Sequence, residues 1–425
     1  MVNQIEVSPH DPATVYVAFN SYKFNDFTPH VFKSVDYGKT WTRLVNGIEK
    51  EAHVRVVRED PNQKDLLYAG TETGLYISFN GGQLWEKFQL NLPVVPINDL
   101  MIQDNDMILA TSGRAFWVLD DLNPLYELGK ASATNFYVYQ PESAIRDYAM
   151  RGNNPQLGQN PYQGFSVLYY LKDNVDSVLL EAEFRDAKGN VVRKFTTDSK
   201  AKSGKVSKKS GMNRLNWDLS MDAFEGVEGV FSGIGSSAQR VIPGKYQLVM
   251  KYGTQEITKE LEVKADPRWT ATATDYQVQE TTLLSLRSAI LDTRQMAENL
   301  RSLRTQIKDL QDRVDKEEFA EWHSQASEVV KVVDAAEAEL IQTKQKTFQD
   351  VINFPNKLDA DLLHIYGAIN DGEPPVTEGQ KLRAKDLLEK YSKVKAQVDE
   401  AIKEVKGLET TLIDQKIPFL VPKKK

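Results

Sequence analysis

The 425-residue chain contains no cysteine and only five histidines. Without thiols there can be no disulfide, no thiolate zinc site, no iron–sulfur cluster and no cysteine nucleophile. The histidines are scattered, and none belongs to a His-x-x-x-His or His-Glu pair of the kind that holds catalytic zinc. Glycine loops that bind nucleotides are also missing. We therefore expect no metal and no cofactor in this chain.

Charge and hydropathy narrow the partners further. The 53 lysines and arginines are outnumbered by 60 acidic residues, so the net charge is −7 and no broad cationic field is available to neutralise phosphates. No run approaches the ~20 apolar residues that a membrane helix needs. Residues 1–25 also lack the basic and then apolar pattern of a signal peptide. We expect no nucleic-acid partner and no membrane span.

Glycine and proline divide the chain into two regions. After Gly253 no glycine occurs until Gly367, and no proline occurs between Pro267 and Pro355. A stretch without either residue is typical of long helices. Before Pro267, short runs rich in Val, Ile, Tyr and Phe alternate with turn residues, as strands do. The sequence thus predicts β structure followed by α structure.

Residues 1–122 contain an internal repeat. Asp11-Pro12 precedes an apolar run in the first copy, and Asp60-Pro61 precedes one in the second. The copies continue to Trp41 and Trp85, 44 residues apart. A third copy, without the polar turn, ends near Asp120. A period in the forties with about four short strands per unit is typical of β-propeller blades.

The first copy ends in Ser34-x-Asp36-x-Gly38-x-Thr40-Trp41, which resembles the Asp-box of bacterial neuraminidase repeats at every defining position. The aspartate is expected to accept N–H bonds within the turn, the glycine to supply a positive φ, and the tryptophan to pack the turn onto the blade. None of these roles is chemical, so the motif indicates fold and says little about function.

The second copy resembles the same motif with two departures. It keeps Ser78, Gly82 and Trp85, but Asn80 stands at the aspartate position and Leu84 at the threonine position. We expect a working but degenerate copy of the turn.

About six further strands are predicted between residues 165 and 266, which suggests a small sandwich. Gly211-Met-Asn213, Trp217-Asp218 and Pro243-Gly244-Lys-Tyr246 resemble the Ig-like accessory domains of secreted bacterial proteins. The last region carries apolar residues at spacings of three and four, with capping pairs at Thr274, Asp315 and Thr377. These patterns predict long antiparallel helices with a shorter one over residues 356–370.

The predicted fold class is therefore multidomain β plus α. We expect a partial β-propeller of two to three Asp-box blades over residues 1–128, then a surface connector over 129–163. An Ig-like β-sandwich follows over 164–266, and an antiparallel helical bundle over 267–425.

Taken in order, these parts resemble the C-terminal part of bacterial sortilin-like, neuraminidase-repeat proteins, often labelled glycosyl hydrolases. The resemblance implies a longer parent protein that is periplasmic or secreted, with most of its blades upstream. Two or three blades cannot enclose a propeller axis. We therefore expect the flank at residues 1–20 to expose apolar surface, which an upstream propeller polypeptide or a second copy would cover.

The candidate ligand-binding residues are few. Tyr22, Phe24, Phe27 and His30 fall in an elongated loop between the second and third strands of the first blade, and half of this group is expected to pack on the neighbouring blade. Arg114 is the only arginine near an inner-strand position of the third blade, where it could grip a carboxylate. Sugar rings and protein side chains both stack on such aromatics, so a glycan or protein ligand is expected.

No catalytic residue is predicted. A glycoside hydrolase needs two carboxylates flanking the scissile bond, and Asp99, Asp104, Asp106 and the Asp120-Asp121 pair are the best-placed acids. Turn and cap roles explain each of them more simply. The favoured function is non-catalytic binding or scaffolding, and the alternative is part of a glycoside hydrolase whose catalytic blades lie upstream.

Overall fold

The computed structural model describes residues 1–147, 158, 160–201, 204–231 and 238–417. Within these ranges the chain is a mixed β and α protein, with strands before residue 266 and long helices after it. The strands form five sheets, of four, four, three, three and six strands. No helix in the described ranges is long and apolar enough to cross a membrane.

Three small antiparallel sheets follow one another along residues 2–119. In each of them the strands lie side by side in the order in which they occur in the sequence. Sheet 1 contains β1 (Val2–Val7), β2 (Val15–Ser21), β3 (Asp26–Ser34) and β4 (Thr42–Arg43). Sheet 2 contains β5 (Val54–Glu59), β6 (Leu67–Thr71), β7 (Gly74–Ser78) and β8 (Glu86–Lys87). Sheet 3 contains β9 (Ile97–Gln103), β10 (Asp106–Thr111) and β11 (Phe116–Leu119).

The three sheets pack face to face. Alternate side chains on each strand point to opposite faces, so each sheet has two faces that can pack. The core between sheets 1 and 2 contains Tyr16, Ala18, Val31, Val54, Val57, Leu67, Ala69, Tyr76 and Trp85. The opposite face of sheet 2 packs on sheet 3 through Val56, Tyr68, Leu75, Ile77, Ile97, Leu100, Met107 and Leu109. Sheet 2 is therefore buried on both faces, which explains its nearly continuous apolar strands.

The first strands of the three sheets run beside one another. Asn3 Nδ2 donates to the Val54 carbonyl oxygen at 3.1 Å, near the starts of β1 and β5. Further along, Arg58 of β5 bonds Glu6 of β1 at 2.7 Å and Asp99 of β9 at 3.1 Å. The segments that precede the first strands and the turns between second and third strands therefore lie at one end of the stack. We call it the upper end.

Two further sheets pack together after a pair of short helices, α1 (Asn123–Tyr126) and α2 (Leu128–Ser132). Sheet 4 contains β12 (Phe136–Val138), β14 (Phe165–Leu171) and β18 (Gly211–Trp217). Sheet 5 contains β13 (Ala144–Arg146), β15 (Leu180–Asp186), β16 (Val191–Thr196), β17 (Gly204–Lys205), β19 (Gly244–Tyr252) and β20 (Gln255–Ala265). Trp217 is fully buried between them and stacks on Phe184 and Phe165.

The segment predicted as a connector, residues 129–163, differs from that expectation. Its strand β12 pairs with β14, and its strand β13 pairs in parallel with the end of β20. Each strand has only three residues, too few for alternation to mark it in the sequence. Residues 148–157 and 159 of this connector lie outside the described ranges, as do residues 418–425 of the predicted bundle.

Four long helices pack on one another around a shared apolar core. They are α3 (Ala273–Gln311), α4 (Ala320–Leu340), α5 (Leu358–Asn370) and α6 (Glu378–Asp414). Of the three predicted N-terminal caps, one occurs at its predicted residue. Thr377 caps α6 with Gln380 as its box partner, as predicted. The cap of α3 is Thr272 with Asp275, two residues before the predicted Thr274, and α4 begins five residues after Asp315.

A buried polar cluster joins sheet 5 to the helices. Arg146 of β13 is fully buried and bonds Glu373 at 2.6 Å, Gln279 at 3.0 Å and the Val241 carbonyl oxygen at 3.1 Å. The Tyr276 hydroxyl donates to the same glutamate at 3.1 Å. A buried arginine needs partners on every side, so this cluster fixes how the two parts meet.

Candidate ligand-binding site

An aromatic turn lies at the upper end of sheet 1. A one-turn 3-10 helix, Tyr22–Phe24, connects β2 to β3 and closes at Asn25, whose φ is 60° and whose N–H donates to the Tyr22 carbonyl oxygen at 3.0 Å. This tight turn leaves the Phe24 side chain 84% exposed. Phe27, predicted in an elongated loop, instead lies in β3, because the strand pairing of Ser21 with Asp26 resumes directly after the turn.

The turn reaches across to sheet 2 and covers His53. The Tyr22 ring stacks on the His53 ring at 5.5 Å, and the Phe27 ring lies tilted over it at 6.4 Å. His53 precedes β5 and is only 4% exposed. Two of the three predicted aromatics therefore pack on the neighbouring sheet, while Phe24 remains in solvent.

His53 lies next to an ion pair. Its Nε2 is 3.3 Å from Glu72 Oε2, and the same carboxylate oxygen accepts from Arg55 Nε at 2.8 Å and Nη2 at 2.5 Å. Neither ring nitrogen of His53 has a hydrogen-bond partner among the described residues. The charges of Arg55 and Glu72 cancel locally.

Burial is the largest effect on His53 and lowers its pKa. The Glu72 carboxylate opposes this shift, and the Arg55 guanidinium reinforces it. The imidazole is therefore neutral at pH 7, with one N–H donor and one lone pair. The exposed Phe24 ring can stack on a flat apolar surface. Both His53 ring nitrogens are buried, and the exposed Lys23 side chain lies in the same turn.

Arg114 lies at the upper end of sheet 3 and contributes nothing to the aromatic turn. It occupies the turn between β10 and β11, between Gly113 at φ 88° and Ala115 at φ 56°. Its guanidinium Nη1 is 3.5 Å from the Gly113 carbonyl oxygen. The sequence analysis placed Arg114 near an inner-strand position, but the inner strand of this sheet is β9, and the arginine follows β10 instead.

The turn over residues 34–41, which the sequence predicts as an Asp-box, lies at the lower end of sheet 1. Asp36 accepts the backbone N–H groups of Lys39 and Thr40 at 2.9 Å each, together with the Thr40 and Ser34 hydroxyls. These hydrogen bonds, led by the Thr40 backbone, lower the pKa of Asp36 to about 2. Gly38 has φ 83°. The side-chain oxygens of Ser34, Asp36 and Thr40 are used inside the turn, while the Tyr37 N–H donates to the Ala13 carbonyl oxygen at 3.1 Å.

The turn over residues 78–85 has the same geometry, with the Asn80 side-chain amide in place of the Asp36 carboxylate. Asn80 Oδ1 accepts from the Ser78 hydroxyl at 3.0 Å and from the Leu84 N–H at 2.9 Å. The Gly82 N–H donates to the Ser78 hydroxyl at 3.0 Å. Because both side chains offer an acceptor oxygen at the same place, the turn forms with either one.

The two box tryptophans have different surroundings. Trp85 is 2% exposed, and its Nε1 donates to the Leu44 carbonyl oxygen of the preceding repeat at 3.1 Å. Trp41 is 44% exposed, and its Nε1 donates to Gly38 within its own turn at 3.0 Å. The predicted packing of Trp41 onto a blade is therefore only partial, because the described residues place no sheet against this side of sheet 1.

The acids of the third repeat serve turns and ion pairs. Asp99 pairs with Arg58, and Asp106 accepts the Asp121 N–H at 2.9 Å. Asp121 accepts the Asn123 N–H at 3.1 Å. Burial, followed by the Glu142 carboxylate, raises the pKa of Asp121 to about 6. No group of three or more His, Asp or Glu side chains in the described part of the chain is placed to hold a metal ion.

Neither a protein-family model nor a curated protein sequence matches the chain. Among solved structures it is similar to YCF48 from Cyanidioschyzon merolae (17% identity, TM-score 0.21, 28% of this chain and 39% of that one). It is also similar to YCF48 bound to D1 peptide (13%, 0.22, 28% and 36%) and to a GH74 enzyme from Niastella koreensis (17%, 0.24, 45% and 29%). The chain spans well under half of the length of each structure. Because these TM-scores are low, we infer the function from the site itself.

Sequence reasoning missed His53, Arg55 and Glu72. Their signal was weak, because His53 and Arg55 each lie between apolar residues, Glu72 lies between two threonines, and none of the three has motif spacing. Thirty residues separate His53 from Tyr22 in the sequence, and only the packing of sheet 1 on sheet 2 brings their rings together.

Proposed function

We propose that this chain is a non-catalytic binding or scaffolding part of an Asp-box propeller protein whose parent is exported. Three antiparallel sheets in sequence order, packed face to face with their first strands adjacent, support the propeller sector. The two internally bonded turns at Asp36 and Asn80 support the Asp-box assignment. Exposed apolar side chains on β1, such as Ile5, support the expected open flank.

The other parts of the chain are proposed in the same way. Sheets 4 and 5, with Trp217 between them, are interpreted as an Ig-like sandwich that includes β12 and β13. The four long helices over residues 267–425 are interpreted as a helical bundle that packs against this sandwich through Arg146. We assign both parts a scaffolding role, because each has its own buried apolar core and the Arg146–Glu373 ion pair joins them.

The ligand is proposed to have a flat apolar face, such as a glycan ring or an apolar protein segment. The single observation that carries this proposal is the 84% exposure of Phe24, next to Tyr22 and Phe27, which pack on His53. Stacking on such a ring contributes energy to glycan and protein contacts alike.

Binding to immobilised neutral oligosaccharides and to an array of apolar peptides tests this proposal. Phe24→Ala is expected to weaken binding by about fivefold or more, since stacking on an aromatic ring contributes roughly 1 kcal/mol or more. Trp269→Ala is the matched control, because Trp269 is also exposed, at 53%, and lies outside the sheets. Equal effects of the two substitutions, or binding to neither array, would contradict the proposal.

The glycoside hydrolase alternative is tested with aryl glycosides. No pair of unpaired carboxylates faces a common space at the upper end, because Glu72 pairs with Arg55 and Asp99 with Arg58 within the described residues. We therefore expect no turnover by the isolated chain. Hydrolysis that is lost in Asp99→Asn or Glu72→Gln would overturn the non-catalytic assignment.

A further inference from the structure

Sheet 1 has a free face that matches a buried face of sheet 2. Strand pairing places one residue of each strand in a row across the sheet. In sheet 1 one such row is Ile5, Val17 and Phe32. In sheet 2 the row at the same register is Val57, Ala69 and Tyr76, each at most 1% exposed. Ile5 is 60% exposed, and the other two side chains of its row are half-buried.

Two more pairs of positions repeat this relation. Val2 pairs with Phe19 as Val54 pairs with Thr71, and Val2 is 57% exposed where Val54 is fully buried. Trp41 and Trp85 likewise differ in exposure, at 44% and 2%. At these positions sheet 1 therefore exposes apolar side chains that correspond to those through which sheet 2 packs on sheet 1.

Sheet 3 has a free face of the complementary kind. Met101, Ile108 and Val118 form a row that points away from sheet 2. Met101 is 48% and Val118 55% exposed, and Phe116 on the next row is 76% exposed. The corresponding face of sheet 2, with Tyr68 and Ile77, is buried against sheet 3. Sheet 3 thus exposes the type of face that sheets 1 and 2 each present to the sheet that follows.

We propose that the free face of sheet 3 in one copy of this chain packs on the free face of sheet 1 in a second copy. This contact continues the interface already formed twice inside the chain, between sheets 1 and 2 and between sheets 2 and 3. It is heterologous, since each copy contributes a different surface, and such contacts either close into rings or grow into filaments. Two copies with three sheets each give six sheets, within the range of about four to eight at which face-packed sheets close around an axis.

Sedimentation velocity of the full chain, from about 1 to 100 µM, tests this proposal. The expected species at high concentration has twice the 48.1 kDa mass of one chain. Ile5→Asp and Val118→Asp each place a carboxylate in the contact. Each is expected to raise the dissociation constant by at least about 100-fold, because burying an unpaired charge is costly. Ile413→Asp is the matched control, since Ile413 is also 60% exposed but lies on α6, and its dissociation constant should not change.

A mixture of the two variants identifies the geometry. Ile5→Asp retains an intact sheet 3 face and Val118→Asp an intact sheet 1 face, so mixing should restore a two-copy species with one intact contact. Both positions are exposed in a single copy, so the circular dichroism and melting of each variant at low concentration should match the wild type.

Three results would overturn the proposal. The first is a wild-type mass of 48.1 kDa at every concentration. The second is a Val118→Asp variant that dimerises as well as the wild type, because sheet 1 would then pair with itself. The third is a mass that keeps rising beyond two copies with concentration, because the contact would then not close.

Discussion

Trp85 and Trp41 occupy the same position in the turns over residues 78–85 and 34–41. Substituting each by alanine tests whether burial, rather than position in the motif, determines how much the tryptophan stabilises the fold. Trp85 is 2% exposed in the core between sheets 1 and 2, so Trp85→Ala is expected to cost about 3–5 kcal/mol. Trp41 is 44% exposed, and its hydrogen bond stays within its own turn. Since only about half of its ring leaves water, Trp41→Ala should cost roughly 1–2 kcal/mol.

Hydrogen exchange of the backbone amides measures this difference sheet by sheet. At dilute protein, exchange in β6 and β7 should accelerate by about 1,000-fold in Trp85→Ala, because each 1.4 kcal/mol changes the opening equilibrium about tenfold. In Trp41→Ala the acceleration in β2 and β3 should stay near about tenfold. Exchange in α3 serves as an internal control and should not change. Equal acceleration by the two substitutions would refute the inference that Trp85, unlike Trp41, joins two sheets.

Three further predictions concern single groups. Burial raises the pKa of Asp121 to about 6, so its contribution to stability is complete below pH 4 and is lost as the pH rises through 6. Asp121→Asn should therefore raise the free energy of unfolding more at pH 8 than at pH 4, by about 1 kcal/mol after allowance for partial exposure, as thermal melting at the two pH values measures, and an equal gain at both would contradict the assigned cause. Arg146→Met should cost about 3–5 kcal/mol in urea unfolding because it leaves Glu373 buried and charged, and adding Glu373→Gln should recover part of that loss. Thr377→Ala should cost about 1 kcal/mol by removing the cap of α6, while Thr410→Ala, in the interior of the same helix, should cost less.

Much of the fold could be predicted from local patterns. The six strands expected between residues 165 and 266 all occur, because alternation and turn residues act over short distances. The helical region followed from the missing glycine and proline. Strands β12 and β13 could not be predicted, since three residues carry no period and each forms only by pairing with a distant strand.

The candidate site shows the same limit. The aromatic turn was visible in the sequence, because Tyr22, Phe24 and Phe27 stand out in a polar segment. The histidine beneath it and the ion pair beside it were not, because contact across two sheets depends on how those sheets pack.

By itself, the sequence determined the order of β and α regions and the polar turns at residues 34–41 and 78–85, since each depends on residues a few positions apart. Only the tertiary structure decided which side chains those turns bury, because burial depends on the neighbouring sheet. Trp41 and Trp85 have the same motif position, yet one is exposed and the other is part of a core. The tertiary structure likewise decided that the outer faces of sheets 1 and 3 expose apolar side chains, because exposure depends on which other described residues pack against a face.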